Sequence, residues 1–188
     1  MRAALFTVLL FALPAAAAGP AGSFSFPDDR DPVVSPTGIW AATYHRESDD
    51  KPLRFTVQDA EGKEVAGFDF QRGVDGTWQP GSNNLYVNEA TGSNSGDCLI
   101  LTEAEGKKVF ASLRAALNAP DSVPNDFAWI KPAQLGEDTH YYLSCQRWTG
   151  DKIDFTITGH TDVEGGAFKY FMQYDLNART FKFVPGTN

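Results

Sequence analysis

Three histidines, His45, His140 and His160, are the side chains in this sequence best suited to acid–base or metal chemistry near neutral pH. His45 lies in "YHRESDD", beside several carboxylates, but no nucleophilic motif accompanies it. His160 lies in "TGHTDVEGG", where Asp162 and Glu164 could offer oxygen ligands to a hard cation. A Ca²⁺ site needs more ligands than this segment supplies, and a solvated turn explains the segment equally well.

Motifs for catalysis are missing from the sequence. The segment "GSNSG" has Asn94 at the place where a nucleophile elbow requires a serine. There is no H-E-x-x-H pattern, Gly-rich phosphate loop or cysteine–histidine arrangement. We therefore predict no catalytic residues, no metal site and no cofactor. A hydrolase whose carboxylates meet only in the fold stays open as an alternative, which raised carboxyl pKa values in one cleft would favour.

Cys98 and Cys145 are the two cysteines of the chain. An even cysteine count in an oxidising compartment favours a disulfide bond, which would here enclose residues 98–145. The alternative is a pair of buried thiols. No C-x-x-C spacing suggests a metal site.

Three polar loops follow strand-like segments at matching places: "YHRESDDKP", "NEATGSNSGDC" and "TGHTDVEGG". Loops on a rigid sheet are where binding residues gather, so we expect the three to emerge on one rim. Within the second loop, the candidate binding residues are Thr91, Ser93, Asn94 and Asp97. The alternative is that these are only long hairpin loops.

A segment rich in aromatic residues, "DSVPNDFAWIKPAQLGED", supplies two further candidate binding residues, Phe127 and Trp129. Exposed Phe and Trp side chains often anchor protein interfaces. Alternatively, the segment is a loop that packs its aromatic rings over the sheet core.

The elements that must position these residues repeat along the chain. "TVQDAEGKEV" matches "ILTEAEGKKV", which begins 44 positions later. The turns that begin at Val34 and Trp78 are also 44 positions apart. A third, looser copy begins at Trp148 and ends at Arg179, after an insertion. Units of about 40–45 residues are typical of four-stranded propeller blades.

Period-two alternation predicts strands in these units. Apolar and polar residues alternate over 53–58 and again over 153–158. The segments "AEGK" and "LNAR" are typical of tight turns, in which Gly or Asn can take positive φ. In the insertion, Phe110, Leu113 and Leu117 have helical spacing, and Asn118 and Pro120 supply a stop, so we predict a short helix over 110–117.

The turns "SPTGIW" and "WQPGSNNLYV" resemble the S-P-D-G and W-S-P-D-S-x-x-L-A-V turns of TolB-type, WD-repeat-like propeller blades. The resemblance covers 34–109 and, more weakly, 140–184, with Thr37 and Gly81 where the family has Asp. It implies an all-β fold, an antiparallel meander of propeller-like blade repeats with one short helix in an insertion. Three units are too few for a closed propeller, so we expect an open or incomplete one, or a β-sandwich-like fold that carries the motif.

The first residues, "MRAALFTVLLFALPAAAAGP", have the layout of a secretory signal peptide with cleavage after Ala18. Their apolar run is too short to span a bilayer. We predict a signal peptide over 1–18, a flexible lead-in over 19–33 and a single β domain over 34–188. The protein is thus expected to be exported, periplasmic or extracellular, without insertion into a membrane.

The chain carries 24 acidic and 16 basic residues, a net charge of −8, which disfavours nucleic acid as a partner. This charge either keeps the protein soluble or attracts a basic partner. We therefore predict an exported, non-catalytic binding protein with a protein partner, in particular an inhibitor or immunity-type protein of the cell envelope. The alternatives are an accessory envelope protein that holds partners as TolB-type domains do, and the hydrolase above; the oligomeric state stays open.

Overall fold

The computed structural model describes residues 22–92, 95–123, 128, 130–131, 139–161 and 167–184. In this part of the chain, no helix is long and apolar enough to span a bilayer. The elements of the described residues are, in chain order, β1 Ser23–Phe26, β2 Val33–Val34, β3 Ala41–His45, β4 Leu53–Gln58, β5 Glu64–Phe70, β6 Val74–Trp78, β7 Leu85–Glu89, β8 Ser95–Ala104, β9 Lys107–Ser112, α1 Leu113–Asn118, β10 Thr139–Thr149, β11 Lys152–Thr161, β12 Phe168–Asp175 and β13 Thr180–Phe183.

Twelve of these strands form three successive antiparallel meanders, which we call unit 1 (β2–β5), unit 2 (β6–β9) and unit 3 (β10–β13). A short parallel pairing of β10 with β8 joins units 2 and 3 into one sheet, and β1 adds to it beside β6. Unit 1 is a separate sheet of four strands. The all-β prediction is therefore confirmed, and among the described strands both sheets are open.

The sequence repeat corresponds to a repeat in backbone structure. β3 begins at residue 41 and β7 at residue 85, again 44 positions apart. In the turn before β3, the Ser35 N–H donates to the Trp40 oxygen at 2.8 Å, and in the turn before β7 the Gln79 N–H donates to the Asn84 oxygen at 2.8 Å. The strands predicted over 53–58 and 153–158 are also confirmed, as β4 and part of β11.

The two "AEGK" segments nevertheless close different turns. In unit 2, Glu105 and Gly106 form a two-residue loop with φ of 52° and 73°, the signature of a type I′ hairpin. In unit 1, Val65 forms a bulge in β5 beside the connection, and the Asp59 N–H donates to the Lys63 oxygen at 3.0 Å. Only Gly62 takes positive φ there.

Unit 2 is the middle layer of the molecule because its sheet is apolar on both faces. Leu85 and Val87 point into a core shared with unit 1, while Tyr86 and Ile100 point into a core shared with unit 3. Neighbouring residues of a strand point to opposite faces, so one strand can serve both cores. The outer face of unit 1 is polar, with Arg54 paired to Asp69 at 2.8 Å, and such a face ends a stack of layers.

The short helix is present, but it begins later than predicted. α1 starts after Ser112, whose Oγ accepts a hydrogen bond from the Ala115 N–H at 2.8 Å. Phe110 lies in β9, and its ring is 5.1 Å from Phe68 in the core between units 1 and 2. The assignment of Phe110 to the helix was therefore wrong, because an alternating strand places it on the opposite side from Leu113.

The predicted disulfide bond between Cys98 and Cys145 is confirmed, with a Cα–Cα distance of 5.9 Å. It joins β8 to β10 and so links the layers of units 2 and 3. The side chain of Asn88 reinforces this link, since it donates to the Cys145 oxygen at 2.9 Å and accepts from the Cys145 N–H at 2.8 Å. A disulfide bond of this kind is typical of proteins from oxidising compartments.

Candidate functional site

The candidate residues of the second polar loop have separate environments. Thr91 is exposed, and its Oγ1 lies 2.7 Å from the Ser95 Oγ. Ser93 and Asn94 lie outside the described residues, as do Phe127 and Trp129 of the insertion. The structure therefore does not bring the six predicted binding residues together as one described surface, and this grouping stays a prediction.

Asp97 lies in β8, only 7% exposed, and its carboxylate is engaged within the chain. It accepts hydrogen bonds from the N–H of Cys98 at 2.8 Å, the N–H of Arg114 at 3.0 Å and the hydroxyl of Ser112. These bonds fix the first turn of α1 to β8. Burial raises the pKa of Asp97, and the hydrogen bonds oppose that shift only in part.

The described part of the insertion packs onto the core between units 2 and 3. Val123 and Ile130 are buried, and the Ile130 oxygen accepts a hydrogen bond from the Tyr141 hydroxyl at 3.2 Å. The Lys131 ammonium donates to the Ala119 oxygen at 2.8 Å, which ties the end of the segment to the end of α1. For Val123 and Ile130, the environment is that of a loop covering the sheet core.

A cavity of about 940 Å³, which we call the cleft, opens where the β8–β9 hairpin of unit 2 separates from unit 3. Ile100, Thr102 and Val109 line its unit 2 wall, and Tyr174, Leu176 and Arg179 line its unit 3 wall. Residues of α1 and of the turn after it close one end, and Trp40 of unit 1 borders it with the turn 82–84. All three units therefore contribute to it.

The lining of the cleft combines apolar and charged groups. Ile100 and Leu113 are buried, and the Lys108 ammonium lies 5.5 Å from the centre of the Trp40 ring. Lys108 is also paired with Glu103 at 2.8 Å, so these two charges cancel locally. The lining includes no histidine and no cysteine.

Two charged residues line the cleft in left-handed backbone conformations. Asp121, with φ of 56°, follows Pro120 in a type II turn that the Ser122 N–H closes on the Ala119 oxygen at 3.3 Å. Arg179, with φ of 55°, ends the β12–β13 turn, where its N–H donates to the Asp175 oxygen at 2.8 Å. Among the described residues, no carboxylate pairs with the Arg179 guanidinium. The local signal for this position was the turn "LNAR", which gave no indication of a cleft.

One edge of β8 is open beside the cleft. β7 pairs with β8 only over residues 97–100, whereas β9 pairs with it over residues 99–104. Leu101 stands opposite Leu85, the first residue of β7, so within the described part of the chain residues 102–104 have a strand partner on one side only. Side chains from both faces of residues 101–104 line the cleft, Leu101 and Glu103 from one face and Thr102 and Ala104 from the other.

The histidines do not form a candidate metal centre with other described ligands. His140 and His160 lie opposite each other on β10 and β11, with ring centres 4.2 Å apart. His45 is exposed at the end of β3 in unit 1. No group of three or more His, Cys, Asp or Glu side chains converges among the residues that the structure describes.

A pair of carboxylates, Glu89 and Asp97, lies opposite each other on β7 and β8. Burial raises the pKa of Glu89, and the neighbouring Asp97 charge raises it further. Neither residue lines the cleft. Because Asp97 already accepts hydrogen bonds on both oxygens, Glu89 is the less constrained of the two.

Comparison of the chain with protein-family models, with curated proteins and with solved structures finds no match.

Proposed function

We propose that this protein is an exported, non-catalytic binding protein that holds a protein partner in the cleft. The observation that carries the proposal is the cleft itself, with its volume of about 940 Å³ and a lining that mixes aromatic and aliphatic side chains with polar and charged ones. Ligand-binding pockets in proteins have this size. Export is supported by the signal-peptide pattern and by the disulfide bond between Cys98 and Cys145.

The three units support a likeness to propeller blades. Each is a four-stranded antiparallel meander, and the first two share the same hydrogen-bonded turn at a spacing of 44 residues. We propose that they are blade-like repeats stacked without closure. On this basis the second candidate is an accessory envelope protein that holds partners as TolB-type domains do.

The partner of an inhibitor or immunity-type protein would be a secreted or wall-directed enzyme. A net charge of −8 favours a basic partner, since opposite charges speed encounter. Charge of this kind changes the association rate more than the final affinity. We therefore expect association with the partner to slow as ionic strength rises.

A hydrolase is the third candidate, and the Glu89–Asp97 pair is the observation in its favour. The hydrogen bonds that Asp97 accepts argue for a structural role, because they occupy its oxygens and fix α1. Asp97 also lies outside the cleft. We therefore place the binding function first.

Affinity capture from an envelope extract of the source organism, with the mature protein as bait, tests the proposal. Two exposed valines give a matched pair of variants: Val109 lines the cleft and is 37% exposed, whereas Val34 lies outside it and is 55% exposed. Val109→Asp should abolish capture of the partner and Val34→Asp should preserve it. Equal capture by the two folded variants would contradict a partner site in the cleft.

A further inference from the structure

We propose that the cleft binds an extended peptide segment by strand addition to the open edge of β8. The inference rests on the proposed function and names the chemistry of the partner. In strand addition, main-chain hydrogen bonds supply affinity and alternating side-chain sites supply specificity. The described geometry provides both parts.

The main-chain part is the stretch from residue 101 to residue 104. The N–H and C=O groups of alternate strand residues point to opposite edges, and the two-residue hairpin directs those of Thr102 and Ala104 towards β9. Those of Leu101 and Glu103 point the other way, where Leu101 stands opposite Leu85 of β7 and Glu103 faces the open side. Beyond Leu101 this side has no strand among the described residues, because β7 begins at Leu85, which stands opposite Leu101. Unpaired groups of this kind form a template for another chain.

The turn before β7 makes its backbone hydrogen bonds within itself. The Gln79 N–H donates to the Asn84 oxygen at 2.8 Å, and the Ser82 N–H donates to the Gln79 oxygen at 3.1 Å. The turn is therefore closed on itself and gives no backbone hydrogen bond to β8. Its residues 82–84 form the border of the cleft.

Strand addition also requires side-chain sites on both faces of the sheet, and the cleft lining supplies them. Successive side chains of an added strand point to opposite faces of the sheet. One set would face Trp40 of unit 1, and the other would face Tyr174 and Leu176 of unit 3, which are all residues of the cleft lining. Apolar side chains fit both sides.

The charge of the cleft lining sets one requirement for the bound peptide. Arg179 lines the cleft without a carboxylate partner among the described residues, whereas the nearby Lys108 is neutralised by Glu103. An added peptide with a carboxylate opposite Arg179 would complete this pair. The expected occupant is thus an extended segment with apolar residues on both faces and one acidic group.

The test uses a random library of peptides of about eight residues, displayed on phage and selected on the mature protein. Selected peptides should carry an acidic residue at a constant position, and Val109→Asp should release them. N-methylation of a selected peptide at alternate residues should weaken binding about tenfold, and N-methylation of the intervening residues should not. A flat N-methylation profile, or a library without any peptide that Val109→Asp releases, would overturn strand addition.

Hydrogen exchange of the complex with a selected peptide gives a second readout. The Glu103 amide should exchange about tenfold more slowly in the complex, and no new protection there contradicts the proposal. Arg179→Asn keeps a residue that tolerates positive φ and should weaken the binding only of peptides that carry the acidic group.

If Val109→Asp abolishes partner capture but the N-methylation profile is flat, the proposed function stands and strand addition fails. Capture that survives Val109→Asp rejects the proposed function itself.

Discussion

Trp148 donates its indole N–H to the backbone oxygen of Thr77 at 2.9 Å, and Trp78 donates in the same way to the oxygen of Val33 at 3.0 Å. Thr77 and Val33 are 44 positions apart and occupy equivalent places in units 2 and 1. Each of these tryptophans therefore joins its unit to the one before it through the same bond. The equivalent position in unit 1 is Val34, which is 55% exposed.

Replacing Trp148 or Trp78 by Phe should lower the free energy of unfolding by about 1–3 kcal/mol, because each change leaves a carbonyl without its donor. Urea unfolding of the two variants measures the loss. Trp40→Phe is the matched control, since the Trp40 indole N–H has no hydrogen-bond partner among the described residues. A control that loses as much stability as Trp148→Phe would show that ring size, not the hydrogen bond, matters.

The disulfide bond should contribute about 4 kcal/mol to stability in the loop-entropy description, since it encloses a separation of 47 residues. The double variant Cys98→Ala, Cys145→Ala should lose approximately this amount in urea unfolding. Labelling of the unreduced, unfolded wild-type protein should detect no free thiol. Two reactive thiols per chain would contradict the bond.

Asp97→Ala should lower the free energy of unfolding by about 1–3 kcal/mol, because it leaves the Cys98 and Arg114 N–H groups without an acceptor. Asp97→Asn keeps an acceptor oxygen and should cost less.

The same carboxylate gives a pH dependence. Burial raises the pKa of Asp97 in the folded protein, so the folded state holds this proton more tightly than the unfolded state. Protonated Asp97 therefore contributes to the stability of the folded state below the ordinary carboxyl pKa. This contribution is lost as pH rises through the raised pKa. Asp97→Asn should therefore gain stability relative to wild type as pH rises through that window. Parallel stability profiles for the two proteins would contradict a raised pKa.

We expect the two "AEGK" turns to respond differently to the same Glu→Asn substitution. Glu105 takes positive φ in a type I′ hairpin, where Asn-Gly is preferred, so Glu105→Asn should raise the free energy of unfolding by about 0.5–1 kcal/mol. Glu61, its equivalent in unit 1, is not among the residues with positive φ, and Glu61→Asn should bring no gain. Equal effects would show that the two turns are alike in solution.

The export prediction is tested at the N-terminus. Cleavage after Ala18 would give a mature chain that begins at Gly19. Mass spectrometry of the protein from the envelope or medium measures this directly. A chain found there with Met1 intact would contradict the signal peptide.

Local patterns predicted the strands well and the helix only in part. Alternation over 53–58 and 153–158 is a property of consecutive residues, so it could be recognised without the fold. Phe110 had the right spacing for α1, but its ring belongs to a core built with Phe68, which lies 42 residues earlier in another strand. Spacing along the chain cannot show which core a side chain enters.

The candidate site was the least predictable part. Asp97 follows a polar loop and was expected at the surface, yet β8 begins at Ser95 and carries it beneath α1. Trp40, Tyr174 and Arg179 attracted no functional interpretation, because they come from different units and meet only around the cleft.

The sequence by itself determined the β class, the 44-residue repeat of turns and the pair of cysteines, since each is a local or countable feature of the chain. Only the tertiary structure decided that unit 2 is a middle layer with two apolar faces, that β10 joins β8 in parallel and that residues 102–104 extend past β7. These features depend on contacts between residues far apart in sequence. Side-chain alternation specifies which residues share a face, but not which other layer that face will cover.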